Sequence, residues 1–181
     1  MSSYIRTYTG EYVNLEDPQI DTINLMDIAH ALANIGRFTG HTEEFYSVAQ
    51  HSVLAANMAE RMYGVEEAKA LLFHDAHEAY LGDVASPLKR LIIDRYARLA
   101  RKFDTVLMYK FDYAKFPEAV ATIDRRMGLT EAEQLMRADL DNGFWPPGET
   151  FDIRIYPWTP EEAEKVFHLV FLDIVKRGKY V

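Results

Sequence analysis

In "VEEAKALLFHDAHEAYLG", residues 65–82, apolar side chains recur at steps of three and four, the spacing that lines one face of an α-helix. The same rhythm runs through "EEFYSVAQHSVLAANMAERMYG" just upstream and "TPEEAEKVFHLVFLDIVKRG" near the end. A chain written this way buries its apolar stripes by packing helix on helix, so the expected fold is all-α, a compact bundle. Yet His74 and Asp75 stand side by side inside the first of these stretches. A buried ionisable group must be paired, neutralised or bound to a metal, because leaving it bare costs several kcal/mol. The rest of the sequence has to supply partners.

The opening "YIRTYTGEYVNL" is rich in tyrosine, threonine and valine around Gly10 and reads as a short β-hairpin. "DTINLMDIAHALAN" reads as helix and "IGRFTGH", with two glycines, as a loop. Residues 43–64 form the next helix, stopping at Gly64, and 65–82 another, closed by Gly82. "SPLKRLIIDRYARLARKFDTVLMYKFDY" starts a helix with Ser86 as N-cap and Pro87 at the first helical position. A helix from Glu118 to Asp139 follows, then "NGFWPPGETFDIRIYPW", a loop with a strand candidate in it. Thr159 and Glu162 are spaced as a capping box with Pro160 between them. No repeat or linker interrupts the 181 residues, so a single domain spanning 1–181 is expected.

There is no cysteine, which excludes disulfides and thiolate metal sites and leaves any metal to His, Asp and Glu. The net charge of −8 argues against a nucleic-acid polymer as partner, since backbone binding needs a basic surface. A small phosphorylated substrate stays possible, because a few arginines and a divalent metal can hold one locally. No apolar run is long enough for a bilayer, and the start lacks a basic-then-apolar signal segment. The expectation is a cytoplasmic protein without a membrane partner.

Four hard-ligand candidates fall on separate predicted helices: His51, the His74–Asp75 pair, and Asp124 in "ATIDRRMGLTEAE". Imidazole and carboxylate suit a divalent transition metal when thiolates are absent. Such ligands can converge inside a helical bundle. Glu78 lies four residues after His74 and three after Asp75, on the same helical face. A carboxylate there can orient or deprotonate a water beside the metal.

The ordered pattern "SVAQHS", "FHDAHEAYLGDVASPLK" and "ID" resembles the HD superfamily of metal-dependent phosphohydrolases. It is most similar to the small bacterial HD-domain 5′-deoxynucleotidases and the related phage dATP triphosphohydrolases. The resemblance runs from the Arg37–Phe38 loop to Asp124, with "DIAHALANIGRFTGH" also in register. It implies an HD-domain bundle in which His51, His74, Asp75 and Asp124 ligate a divalent ion: Co²⁺, Mn²⁺ or Zn²⁺, with Mg²⁺ possible on the substrate phosphates. It implies that Glu78 acts on the nucleophilic water and that Asp83 holds the water or the sugar 3′-hydroxyl. Arg37 and Lys89 would contact phosphate. Phe38 takes the place of a usual tryptophan, against the sugar where a 2′-hydroxyl would sit. "VASPLK" departs from the family in lacking a proline two residues after Asp83.

The implied activity is hydrolysis of deoxynucleotides, releasing phosphate or the whole triphosphate; the latter needs further cations, for which Lys89, Arg90, Arg125 and Arg126 are available. A cyclic- or signalling-nucleotide hydrolase of the same superfamily and a non-catalytic, metal-stabilised nucleotide sensor are the alternatives. The expected assembly is a homo-oligomer, a dimer or larger. His41 closes the glycine loop and is placed beside the phosphate or behind the metal. His77 reads as packing behind the site or exposed, Asp27 and His30 as a structural pair, and His168 as packing or surface. Ser52 invites a hydrolase triad, but no Gly-x-Ser-x-Gly elbow accompanies it.

Overall fold

A computed structural model describes residues 3–178, the Ile93 side chain excepted. The fold is mostly helical, with a short antiparallel hairpin at the start. Strands β1 (Tyr4–Arg6) and β2 (Tyr12–Asn14) pair with Ile5 opposite Val13. Gly10, at φ +97°, makes the turn between them. The hairpin tip is docked on α1 (Leu25–Asn34): the Thr9 amide and hydroxyl both donate to the Asp27 carboxylate, at 2.7 and 2.8 Å. Asn24 caps the same helix by accepting from the Asp27 amide. Asp27 is thereby committed to the hairpin, and the expected Asp27–His30 pair does not form. His30 instead meets Glu164 at 3.0 Å.

Helix α2 (Val48–Met62) begins five residues later than its periodicity suggests, because Ser47 takes the N-cap and Gly36 bridges to Ser47 in extended geometry. It packs along α3 (Val65–Phe73) and against α8 (Pro160–Gly178). The core centres on Phe73, which is fully buried, stacked on Phe111 at 4.6 Å and met edge-on by Phe167 and Phe171. Edge-to-face and offset rings add to the apolar burial that drives this packing.

The stretch 65–82 is not one helix. After α3 the chain tightens, with the Ala76 amide bonding back to Phe73 and the Glu78 amide to Asp75, three residues away and not four. A single helical turn, α4 (Glu78–Leu81), follows and ends at Gly82, whose φ of +78° turns the chain away. The next predicted helix is also two: α5 (Ser86–Leu91) and α6 (Ile93–Phe111), separated at Ile92. Ala85 occupies the cap of α5, one residue before the expected Ser86, with no side-chain bond made there. Helix α7 (Pro117–Leu135) stops four residues short of the predicted end.

Among the described residues, 142–158 forms no strand. Its extended part is held by glutamine side chains standing in for a neighbouring strand. Gln134 accepts from the Ile155 amide and donates to the Ile153 carbonyl, while Gln50 does the same for Trp158 and Tyr156. The Thr159–Glu162 capping box is formed in both directions, at 2.9 and 3.2 Å.

Candidate metal centre

The break after Phe73 is what builds the site. Leaving the α-helix frees the Leu71 carbonyl, and the His74 Nδ1–H donates to it at 2.6 Å. That bond turns Nε2 of His74 toward α2. There Nε2 of His51 stands 3.2 Å away, with its own Nδ1 2.6 Å from the Glu131 carboxylate. Both Nδ1 atoms face acceptors only, so both carry the proton and both neutral Nε2 atoms present lone pairs. Two lone pairs facing each other at hydrogen-bond distance need something positive between them.

The carboxylates complete the set. Asp75 Oδ2 lies 3.1 Å from His74 Nε2 and 3.7 Å from His51 Nε2. Asp124 Oδ1, from α7, lies 3.2 Å from His51 Nε2 and 3.7 Å from His74 Nε2. One donor atom from each of the four residues falls within 4.8 Å of the others. A cation bound at about 2.0–2.2 Å to each needs donors roughly 3–4 Å apart, and the five donor distances above run from 3.1 to 3.7 Å. These residues fit a divalent metal ion, whose identity the donor set leaves open among the transition metals that accept imidazole and carboxylate.

A proton answers the same demand as a metal ion, at the cost of making the ring cationic. Burial works against charge on His74, yet Asp75 and Asp124 hold its proton well above the usual imidazole range. Burial likewise opposes charge on Asp75 and Asp124, but the facing imidazoles push both below the usual carboxylate range. Two anions converging on two ring nitrogens is a cation-seeking arrangement.

Behind the ligands sits a residue that the sequence reading passed over. Glu131 is fully buried; it accepts from His51 Nδ1, from the Tyr46 hydroxyl at 2.8 Å, and from Arg37 at 3.1 Å. Burial raises the pKa of its carboxyl, but His51 and Arg37 overcome this and keep it low. Arg37 also approaches Asp75 at 3.7 Å, so one guanidinium serves both the ligand set and the carboxylate behind it. Glu131 lies seven residues after Asp124, two helical turns on and on the same face.

Asp75 and Asp124 open into a cavity of about 630 Å³, within the range of small-molecule sites. Its wall includes Arg37, Phe38, Glu78, Asp83, Lys89, Arg90 and Arg125, so the structure gathers most of the predicted site residues. Glu78 is 1% exposed; Lys89 Nζ donates to its Oε1 at 2.7 Å, while Oε2 is buried and without a hydrogen-bond partner. Burial first, then Asp75 and Asp83, raise its pKa to about 7 despite Lys89. Asp83 is raised too, by burial, with Arg37 and Lys89 opposing. Phe38 and Thr39 both sit at positive φ, 53° and 57°, an uncommon geometry for residues with a Cβ. The Arg37 guanidinium lies 5.4 Å from the Phe38 ring centroid.

Other candidates fall outside. His41 is exposed and is absent from the cavity wall. His77 pairs with Asp104 at 3.1 Å, and Arg126 turns to the Thr150 carbonyl and the face of Phe151. Three further wall residues come from a loop that carried no functional expectation: Phe144, Trp145 and Pro146.

No family model matches the chain. The uncharacterized protein YfdR of Escherichia coli is 37% identical to it over 98% of both chains. The uncharacterized protein RCAP_rcc00048 of Rhodobacter capsulatus is 32% identical over 90% of both. Likeness at that level, end to end, makes this chain a member of the YfdR family.

Proposed function

We propose that the chain is a metal-dependent phosphohydrolase of the HD type acting on deoxynucleotides. The observation that carries this reading is the four-residue donor cluster, whose two carboxylates open into a cavity walled by cations and aromatic rings. A divalent cation in the cluster supplies Lewis acidity to a phosphoryl oxygen and lowers the pKa of water beside it. The protein does the rest. Glu78 offers Oε2 as the proton acceptor, held in place through Oε1 by Lys89. Its raised pKa lets it take and return a proton near neutrality. Asp83 stands on the same wall for the water or the sugar 3′-hydroxyl.

Arg37 is anchored to Glu131 and Lys89 to Glu78. Arg90 and Arg125 make no carboxylate pair among the described residues and are available to phosphate oxygens. Two uncommitted arginines beside a metal accommodate either one phosphate or a chain of them. The described residues gather a single ligand group, which favours one cation over the richer histidine sets of cyclic-nucleotide hydrolases. The unpartnered Oε2 of Glu78 favours catalysis over passive sensing, since a structural metal has no use for it.

The test is a panel of ribo- and deoxynucleoside mono-, di- and triphosphates, incubated with the protein and Mn²⁺, Co²⁺ or Zn²⁺, with products identified. Metal-dependent release of phosphate or triphosphate from deoxynucleotides is the expected result. No phosphoryl product from any substrate with any of these metals would overturn the proposal.

A further inference from the structure

We infer that the Phe144–Pro146 loop is the nucleobase wall of the site, with Trp145 the ring on which the base stacks. The inference rests on the nucleotide reading above and adds the part of the substrate which that reading leaves unplaced.

The loop is held over the cavity at its far end by close packing. Gly148 lies so near α7 that a Cβ there would come within 2.8 Å of Leu129 Cδ1. Just beyond, Arg126 donates to the Thr150 carbonyl at 3.0 Å and the Phe151 amide to Thr130 Oγ1 at 2.8 Å. At its near end Gly143 turns the chain at φ +81°. Between these anchors, three consecutive apolar residues line the cavity instead of joining the core. Phe144 is 91% exposed.

A chain of contacts runs from Asp75 to Arg37 at 3.7 Å, from Arg37 to the Phe38 ring at 5.4 Å and from Phe38 to Trp145, the sequence in which a nucleotide would present phosphate, sugar and base. Asp75 and Asp124 mark the phosphate end; Arg37 and Phe38 are neighbours in sequence; Phe38 meets Trp145 edge-on, centroids 6.4 Å apart at 70°. Phosphate, sugar and base map onto metal cluster, Phe38 and Trp145. The two rings cannot sandwich a base, which needs parallel faces about 7 Å apart, twice a 3.5 Å carbon contact. The base therefore stacks on Trp145 alone, leaving Phe38 to the sugar. The same wall includes Pro146, Gly128 and Leu129, and Gly148 seats the loop beside Leu129 and the Arg125 guanidinium. A bare π-face holds every base, so discrimination among bases should be weak.

Trp145 and Trp158 are the two tryptophans of the chain, and Trp158 is not in the cavity wall. Emission of the full chain should be quenched saturably by deoxyadenosine, which has no phosphate to cleave. Trp158→Phe should keep that response and Trp145→Leu lose it. For hydrolysis, Trp145→Leu should raise KM for dAMP about ten- to hundredfold, as loss of one base–aromatic stack implies. It should leave 2-deoxyribose 5-phosphate, which has no base, unchanged. The inference is overturned if deoxyadenosine leaves the emission untouched, or if Trp145→Leu handles dAMP like the wild type. A wild type that cleaves neither compound nor any other nucleotide refutes the phosphohydrolase reading instead, and the deoxyadenosine titration still decides the base site.

Discussion

Glu131 and His51 face each other across 2.6 Å with neither side chain exposed to solvent, and the bond leaves Nε2 of the histidine free to serve as a ligand. An imidazole can offer Nε2 to a metal only while Nδ1 keeps the proton, and a carboxylate acceptor enforces that tautomer. Glu131 stays ionised in the interior because Arg37 and Tyr46 donate to it. Glu131→Gln keeps the size and removes the charge. We expect metal affinity about 10–100-fold lower, measured by chelator competition on folded protein. Wild-type affinity in that variant would make Glu131 a core residue only.

Metal removal is the simplest check on the cluster. Chelation should abolish hydrolysis, and Co²⁺, Mn²⁺ or Zn²⁺ should restore it. Asp75→Ala removes a carboxylate that faces both imidazoles and Arg37, so it should lose bound metal and activity together. Full turnover by rigorously metal-free protein would refute this.

Glu78 is not among the four donors; it lines the cavity, and its Oε2 is buried without a hydrogen-bond partner. Glu78→Ala should therefore bind metal as the wild type does while kcat falls about 10²–10⁴-fold, the usual worth of general acid–base help. Activity within a few-fold of wild type would pass the role to Asp83.

The helical bundle, the hairpin and the capping box were legible because each rests on local chemistry: apolar period, a turn glycine, Thr159 reaching Glu162. The breaks were not. Nothing in the apolar period of 65–82 signals that His74 takes the Leu71 carbonyl and shortens the turn, since that bond matters only with His51 opposite. His74 and Asp75 stood out as ionisable types inside an apolar stretch, and the ordered pattern that resembles the HD superfamily picked out His51 and Asp124 with them. Glu131 did not stand out, because a glutamate on a helix is ordinarily solvated, and its partners Arg37, Tyr46 and His51 lie 80 to 94 positions away. Segment 151–158 read as a strand candidate, but it bends at Asp152, where the Ile153 amide bonds back to the Phe151 carbonyl, and Gln50 and Gln134 from distant helices take the polar groups that a partner strand would.

That substitution of side chain for strand makes a stability prediction. Gln50→Leu keeps the volume but strands the Tyr156 carbonyl and Trp158 amide. Loss of the two bonds should cost about 1–3 kcal/mol, seen as a melting point lower by roughly 2–10 °C. An unchanged melting curve would mean that water replaces Gln50 without loss.

Sugar selection brings the two ends of the site together. Phe38 is held at positive φ between the Arg37 guanidinium and Trp145, so its ring cannot swing aside cheaply. A 2′-hydroxyl pressed on a ring edge finds no hydrogen-bond partner, at about 1–3 kcal/mol, or roughly ten- to hundredfold in preference. Deoxynucleotides should be cleaved better than matched ribonucleotides, and Phe38→Ala should narrow the gap mainly by admitting ribose. Arg37→Ala should behave differently. It removes a cation from the cavity and also unpins Glu131 behind His51, so both sugars should suffer alike and metal affinity should fall with them. Steady-state kinetics on paired ribo and deoxy substrates, with chelator competition on each variant, reads all of this. Equal wild-type rates for the two sugars would remove Phe38 from the site, while Arg37→Ala with normal metal affinity would cut the link from Arg37 to His51.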